Sequence, residues 1–353
     1  MSLQLLRSVP AFKGGLLALL AATLFGASTP LVQAIGKGLG PFTTAALLYA
    51  GAALVAALLR RPPDREARLV KSDMPIMLAI AFFGAVLGPV ALAWGLQRAS
   101  GVGASLMLTL EAFFTVLLAR ALYRESMDRR VWLAMLLLLL GGLALVLDQT
   151  RAGASNWLGM LAVLVATAAW GVDNSLSRSV AERDPGQVVM VKAALGALAT
   201  GSLAFFSGEV PPPLWAASSL LLIGATGYGL SLRFYLLAQR TFGAARTGSV
   251  FALAPFIGAL VAVALGDRSA GIWMLLAGLL MLLGVFLHLA EQHAHAHAHV
   301  AISHEHAHDH ADGHHNHTHD PMPQAMHSHL HHHEPLQHAH PHAPDIHHQH
   351  THA

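Results

Sequence analysis

Ten apolar stretches, each close to 20 residues long, fill the first 290 positions of this chain and leave room for little besides a bundle of membrane-crossing helices. They lie near 12–36, 41–60, 74–96, 101–123, 130–148, 157–180, 186–208, 214–238, 243–265 and 270–290. A helix needs about 20 residues to cross a hydrocarbon core of about 30 Å. A soluble helical bundle would show polar faces at helical period, and runs such as Met135 to Leu140 or Met274 to Leu283 have none. The first run is too long for a signal peptide. It continues through Phe25-Gly26-Ala27-Ser28-Thr29-Pro30 without a cleavage pattern and reads as a retained first span. Only 11% of the 353 residues are charged, against about 25% in soluble domains. That composition excludes soluble catalysis, and the chain reads as no enzyme.

The net charge of +2 averages two unlike pieces. Residues 1–290 hold all 21 Lys and Arg against 12 acids, a balance of +9, whereas 291–353 holds seven acids and no Lys or Arg, a balance of −7 with histidine neutral. The basic residues cluster between apolar runs, so they report membrane orientation and not a nucleic-acid surface. One set of connections carries 15 of them, among them Arg60, Arg61, Arg65, Arg68 and Lys71; the opposite set carries four, Lys37, Arg98, Arg151 and Arg268. Cytoplasmic loops retain Lys and Arg, which predicts a cytoplasmic amino terminus and, after an even number of spans, a cytoplasmic carboxyl terminus. With no cysteine, disulfides, thiolate metal sites and cysteine nucleophiles drop out.

The two halves echo each other. A shift of 142 residues aligns Gln97-Arg98 with Gln239-Arg240, Gly101 with Gly243, Glu125 with Asp267 and Gly142 with Gly284. A shift of 145 aligns Gly14 with Gly159 and Phe25-Gly26 with Trp170-Gly171. Five spans per copy is an odd number, so the second copy must enter the membrane inverted, an architecture that places substrate sites near midplane between the halves. The expected fold is therefore all-α, with ten transmembrane helices as two inverted five-helix repeats, 1–148 and 149–290, followed by a disordered tail, 291–353.

Leu24-Phe25-Gly26-Ala27-Ser28-Thr29-Pro30, the Tyr123-Arg124-Glu125 turn and Ala254-Pro255-Phe256-Ile257-Gly258-Ala259 resemble the EamA-type drug/metabolite transporter superfamily over essentially all of 12–290. Gly171-Val172-Asp173-Asn174, followed by Arg178, Asp184-Pro185 and Lys192, resembles a bacterial branch that carries a glutamate in its fourth span and often a histidine-rich tail. The resemblance implies a proton-coupled or facilitated carrier of small metabolites, commonly an exporter, in a bacterial inner membrane. One departure is Leu47-Leu48-Tyr49-Ala50, where many members place an arginine in the second span.

A charge at the bilayer centre costs at least about 2.5–3.5 kcal/mol, so each such residue needs a reason to be there. Glu111 falls mid-span in the fourth run, Asp173 and Asn174 in the inner half of the sixth, Lys192 one to two turns into the seventh and Arg233 near the inner end of the eighth. Two acids and two bases suggest pairing, with Asp173 facing Lys192 or Arg178. Glu111 has no interface within reach and is a candidate to bind substrate or couple protons, against the alternative of a hydrogen-bonded packing residue. Arg233 is also placed to snorkel to the headgroups. Pro30, Pro89 and Pro255 free backbone carbonyls inside spans and mark hinge or cavity positions, or tolerated kinks.

From Glu291 the chain turns to low complexity, with 24 of the 25 histidines. They alternate as His293, His295, His297, His299; His304, His306, His308, His310; His315, His317, His319; and His338, His340, His342, with like runs at 327–331 and 348–352. Few large apolar residues remain to bury a core, which predicts disorder. Neutral imidazole suits Zn, Ni, Co or Cu, so the tail is expected to bind such ions. No other cofactor is required, and a homo-oligomer stays open. Three functions follow: a secondary carrier of a small organic substrate with a metal-buffering or regulatory tail, a divalent-metal exporter, and a membrane metal sensor or store. Against the metal exporter, the spans hold no Cys, no His before His288, and only Glu111 and Asp173 as buried carboxylates, whereas a transition-metal site takes three or four such ligands.

Overall fold

The structure, a computed structural model, describes residues 10–59, 67–123, 129–152, 154–180, 183–242, 244–269 and 271–289, together with the backbone of 294–299, 302–308, 327–333 and 336–341. The helices are α1 (Pro10–Ile35), α2 (Pro41–Leu58), α3 (Met74–Ala81), α4 (Gly88–Leu96), α5 (Gly101–Met107), α6 (Leu110–Tyr123) and α7 (Arg129–Ala152). They continue as α8 (Ala154–Ser177), α9 (Pro185–Phe206), α10 (Leu214–Ile223), α11 (Ser231–Phe242), α12 (Ala244–Phe251), α13 (Ala254–Ala264) and α14 (Ile272–Leu289). Among the described residues, eight stretches are long and apolar enough to cross a membrane: Lys13–Ile35, Pro41–Leu58, Lys71–Leu96, Gly101–Leu122, Arg129–Asp148, Trp157–Ser177, Pro185–Phe206 and Leu214–Ala238. They reproduce the first eight expected spans to within a few residues.

The last two expected spans differ. The run 243–265 is broken into α12 and α13, and the apolar helix of the last run covers Ile272–Leu287. The break at Ala252-Leu253 has a local cause. Pro255 stands in the first turn of α13, where its missing N–H costs nothing, but as an interior residue of one long helix it would delete a hydrogen bond. The fourth span is broken too, between α5 and α6, where Leu108 and Thr109 are carried through by tight bonds such as Thr109 N–H to Leu106 O at 3.0 Å and Glu111 N–H to Leu108 O at 3.0 Å. No proline marks that break.

The third and eighth spans each contain a π-helical turn, Phe82–Leu87 between α3 and α4 and Gly224–Leu230 between α10 and α11. They begin 142 residues apart, the same offset that aligns Gln97-Arg98 with Gln239-Arg240. A π turn widens the helix by one residue and frees a carbonyl from the ladder.

Bulk and smallness are arranged as a lipid environment requires. Large side chains such as Leu54, Leu143, Leu198, Leu279 and Phe286 face outward, more than half exposed, whereas Ala18, Ala21, Ala45, Ala134 and Ala277 are fully buried between helices. Hydrogen bonds between connections sort the helix ends into two sets. At one end Gln33 donates to the carbonyls of Leu96 and Ala99 at 2.9 and 2.8 Å, and Glu209 accepts from the Phe42 and Thr43 amides at 3.2 and 2.7 Å. At the other end Arg183 pairs with Asp73 at 2.9 Å, Leu69 N–H donates to Gln187 at 2.9 Å, and Asp184 N–H donates to Ala67 O at 2.7 Å. These are called below the Gln33 end and the Asp184 end.

Four short backbone segments of the histidine tail are described. In them β1 (Ala294–His299) pairs antiparallel with β4 (Leu336–Pro341), and β2 (Ile302–His308) with β3 (His327–His333). The histidines alternate with a period of two, which is the strand period, so the pattern read as low complexity is also a strand pattern. The rest of 291–353, and the Arg124-Glu125 part of the turn at 123–125, lie outside the described residues.

Candidate functional site

Four of the five intramembrane polar residues singled out by sequence converge on one cavity of about 150 Å³. Glu111 comes from the first turn of α6, Asp173 and Asn174 from α8, and Lys192 from α9. Consecutive residues on a helix point about 100° apart, and α8 uses that angle. Asp173 reaches α9, where Lys192 Nζ forms an ion pair with its carboxylate, and Asn174 reaches α6, where its amide donates to Glu111 Oε1 at 2.6 Å. Asp173 also accepts from Ser177, one turn away, at 3.4 Å. The Asp173 and Lys192 side chains are 5% and 12% exposed, so each neutralises a largely buried partner.

The π turn at Phe82–Leu87 forms the floor beneath Asp173. A Cβ on Gly84 would collide with the Asp173 carboxylate, so glycine is what lets the acid fit. The Gly84 carbonyl accepts two hydrogen bonds, one from the Tyr49 hydroxyl and one from Trp170 Nε1 at 3.0 Å. Two ring donors on one carbonyl tie α2 and α8 to the turn. Tyr49 thus has a structural task in the span where the superfamily resemblance leads one to expect arginine.

Charged and polar side chains from both halves of the chain meet around one cavity among broken and π-bulged helices, and the comparisons with known proteins fit that geometry. The model of the EamA-like transporter family matches twice, over residues 12–147 and 157–290. The chain belongs to the EamA-like transporter family. A protein from Methanothermobacter thermautotrophicus described as an uncharacterized transporter is 28% identical over 296 residues, covering 77% of this chain and 85% of that protein. A crystal structure is similar with a TM-score of 0.56 at 18% identity, covering 78% of this chain and 94% of the other. That likeness shows a shared fold.

In this EamA-like protein six of the twelve other residues that line the cavity are aromatic, and sequence reasoning missed most of them. Phe25 is the hub, with ring centroids 6.0 Å from Trp170, 5.9 Å from Tyr228 and 5.5 Å from Phe251. Tyr49 lies 5.6 Å from Tyr228, and Tyr235 lies 4.9 Å from Phe251. Tyr228, Ser231 and Tyr235 recur at helical spacing on the eighth span and share one face. The one available signal was the alignment of Phe25-Gly26 with Trp170-Gly171, which marks two of the six rings.

Arg233 does not line this cavity. Its Nη1 donates to Leu59 O at 2.7 Å, at the mouth of a smaller pocket of about 30 Å³ bounded by Asp184, Pro185 and Leu236. That pocket shares Val189 with the cavity and lies toward the Asp184 end. The side chains of Arg178 and of His293, His295, His297, His299, His304, His306, His308, His310, His315, His317, His319, His338, His340 and His342 lie outside the described residues. Among the described residues, no group of three or more His, Cys, Asp or Glu is placed to hold a metal ion.

Toward the Gln33 end the helices that border the cavity pack closely. There α13 packs along α1 and α5, and a Cβ on Gly26 would collide with the Ala254 carbonyl, while one on Gly258 would meet Gly26 O at 2.8 Å. Asp267 caps α5 by accepting from Val102 N–H at 3.1 Å and binds its own loop through Ser269 N–H at 2.9 Å. Partial burial pushes the Asp267 carboxyl up, but the bonds from Ser269, Val102 and Gly101 outweigh it and hold the group below the usual carboxylate range. Toward the Asp184 end the continuing halves, α6 and α12, form no comparable interface among the described residues.

Proposed function

We propose that this protein is a secondary carrier of a small organic solute, proton-coupled or facilitated, that exports its substrate across a bacterial inner membrane by alternating access. In this reading ten spans form two inverted five-span repeats, 1–148 and 149–290, with both termini and the histidine tail in the cytoplasm. The Asp184 end is then cytoplasmic and the cavity faces inward. Glu111, Asp173, Asn174 and Lys192 bind substrate or couple protons, and Arg233 stands at the cytoplasmic mouth. The tail binds divalent Zn, Ni, Co or Cu as a buffer or regulator, and transport itself needs no cofactor.

The observation that carries this reading is the convergence of Glu111, Asp173, Asn174 and Lys192 from α6, α8 and α9 on a single cavity. Buried charges in spans are expensive and mark substrate or proton paths. Further support comes from the broken fourth and ninth spans, since discontinuous helices at a repeat interface build transport sites, and from the family model matching once in each half.

The test is reconstitution of the full chain in vesicles, with candidate solutes followed under an imposed proton gradient. Gradient-driven flux in the wild type that is lost in Glu111→Gln supports proton coupling through Glu111. Equal gradient-driven flux in both proteins removes that role, and absence of solute flux across a broad panel removes the carrier reading.

A further inference from the structure

Charge and ring geometry in the cavity carry the substrate assignment further, resting on the carrier reading above. Lys192 is the one cation among the described residues that line the cavity, and its ammonium is already held by Asp173. The second carboxylate, Glu111, meets the neutral amide of Asn174. One pair cancels, and an ionised Glu111 leaves one negative charge.

The walls select the same sign. Phe25, Tyr49, Trp170, Tyr228, Tyr235 and Phe251 surround the space. Aromatic faces carry negative potential and attract ammonium groups within about 6 Å of the ring centroid. A carboxylate substrate would face both Glu111 and these rings, and could recruit Lys192 only by breaking its pair with Asp173, leaving a buried acid uncompensated. A neutral substrate would leave an ionised Glu111 without a counter-charge. The volume of about 150 Å³ suits a small solute, since a cavity of that size accommodates benzene.

We infer that the cavity binds a monovalent organic cation of about one aromatic ring or one small quaternary ammonium, with the ammonium beside Glu111 and the apolar part among Phe25, Trp170, Tyr228 and Phe251. The Asp173–Lys192 pair keeps its own charges out of the exchange and holds α8 against α9.

Binding to the full chain in lipid nanodiscs tests this with four probes: benzylammonium, tetramethylammonium, benzyl alcohol and benzoate. The wild type is expected to bind benzylammonium at least about tenfold more tightly than benzyl alcohol, which equals about 1.4 kcal/mol, and to bind benzoate more weakly still. Glu111→Gln is expected to erase the preference for the cation, and Glu111→Asp to restore part of it. If Glu111→Gln does not fold, the wild-type ranking decides alone. Equal or tighter binding of benzoate or benzyl alcohol overturns the assignment. So does the absence of binding by either cation up to about 10 mM, a concentration that detects even interactions of about 3 kcal/mol. Cation binding without flux in vesicles contradicts the carrier reading and leaves the cation site standing. Flux of anions or neutral solutes without cation binding does the opposite.

Discussion

The two halves of the chain use the same backbone device for different chemistry. Each contains a π turn, and the turns begin 142 residues apart. In the first half the turn is covered and pinned: Gly84 O is held by Tyr49 and Trp170, and Asp173 rests on the glycine. In the second half the turn carries one of its own side chains, Tyr228, into the cavity wall. The charged groups are as unevenly shared. Glu111 is the acid supplied by residues before 148, whereas Asp173, Asn174 and Lys192 come from the second half. The two π turns share an offset, and the side chains around them differ.

The comparison breaks most readily at Lys192. Replacing it by Met strands Asp173 in a site only 5% exposed, and removing one partner of a buried pair costs about 3–5 kcal/mol. Thermal unfolding in detergent should show a large loss for Lys192→Met, most of it recovered in Asp173→Asn/Lys192→Met. An equal loss in the double variant would mean that Lys192 does not act through Asp173.

Glu111→Gln comes next. It keeps a hydrogen-bonding side chain toward Asn174 but loses the charge, and charge-assisted bonds are worth about 1.5–3 kcal/mol. Apparent substrate affinity should fall about ten- to hundredfold while stability changes little, as read by transport and unfolding assays on one preparation. Tyr49→Phe sharpens the contrast between the turns at a smaller scale. Gly84 O keeps Trp170 but loses one donor, for about 1 kcal/mol of stability. If Tyr228→Phe costs as much stability as Tyr49→Phe, the division into a pinned turn and a presenting turn is wrong.

Asp267→Asn has the smallest expected effect, below about 1 kcal/mol, because the group is partly solvated. Its sign with pH follows from its lowered folded value. The contribution is fully present above the unfolded pKa of about 3.9 and is lost as pH falls through the still lower folded value. Wild type and variant should therefore differ at neutral pH and converge below about pH 4.

Sequence reasoning reached the site where contrast was high. A charge in an apolar run is conspicuous and energetically constrained, so Glu111, Asp173, Asn174 and Lys192 stand out. Rings in an apolar run offer no contrast: Phe25, Tyr228 and Phe251 look like any lipid-facing residues until their partners are known. Spans one to eight were legible from length and hydropathy, but the break at Leu108-Thr109 was not, because no proline or glycine stands at those positions. The π turns depend on what packs against them, and only the glycines at 84, 224, 227 and 229 hint at them. Arg233 was placed among the site candidates by its type, while its reach to Leu59 O depends on the tertiary position of α2.

If the cavity is a transport site closed toward the Gln33 end, it is reachable from the Asp184 side alone. The chain has no cysteine, so a single Leu232→Cys, in the cavity wall, reports on it without background. A membrane-impermeant thiol reagent should label this position from the Asp184 side only, and saturating benzylammonium should protect it. Equal labelling from both faces, or labelling from the Gln33 side alone, would contradict the account.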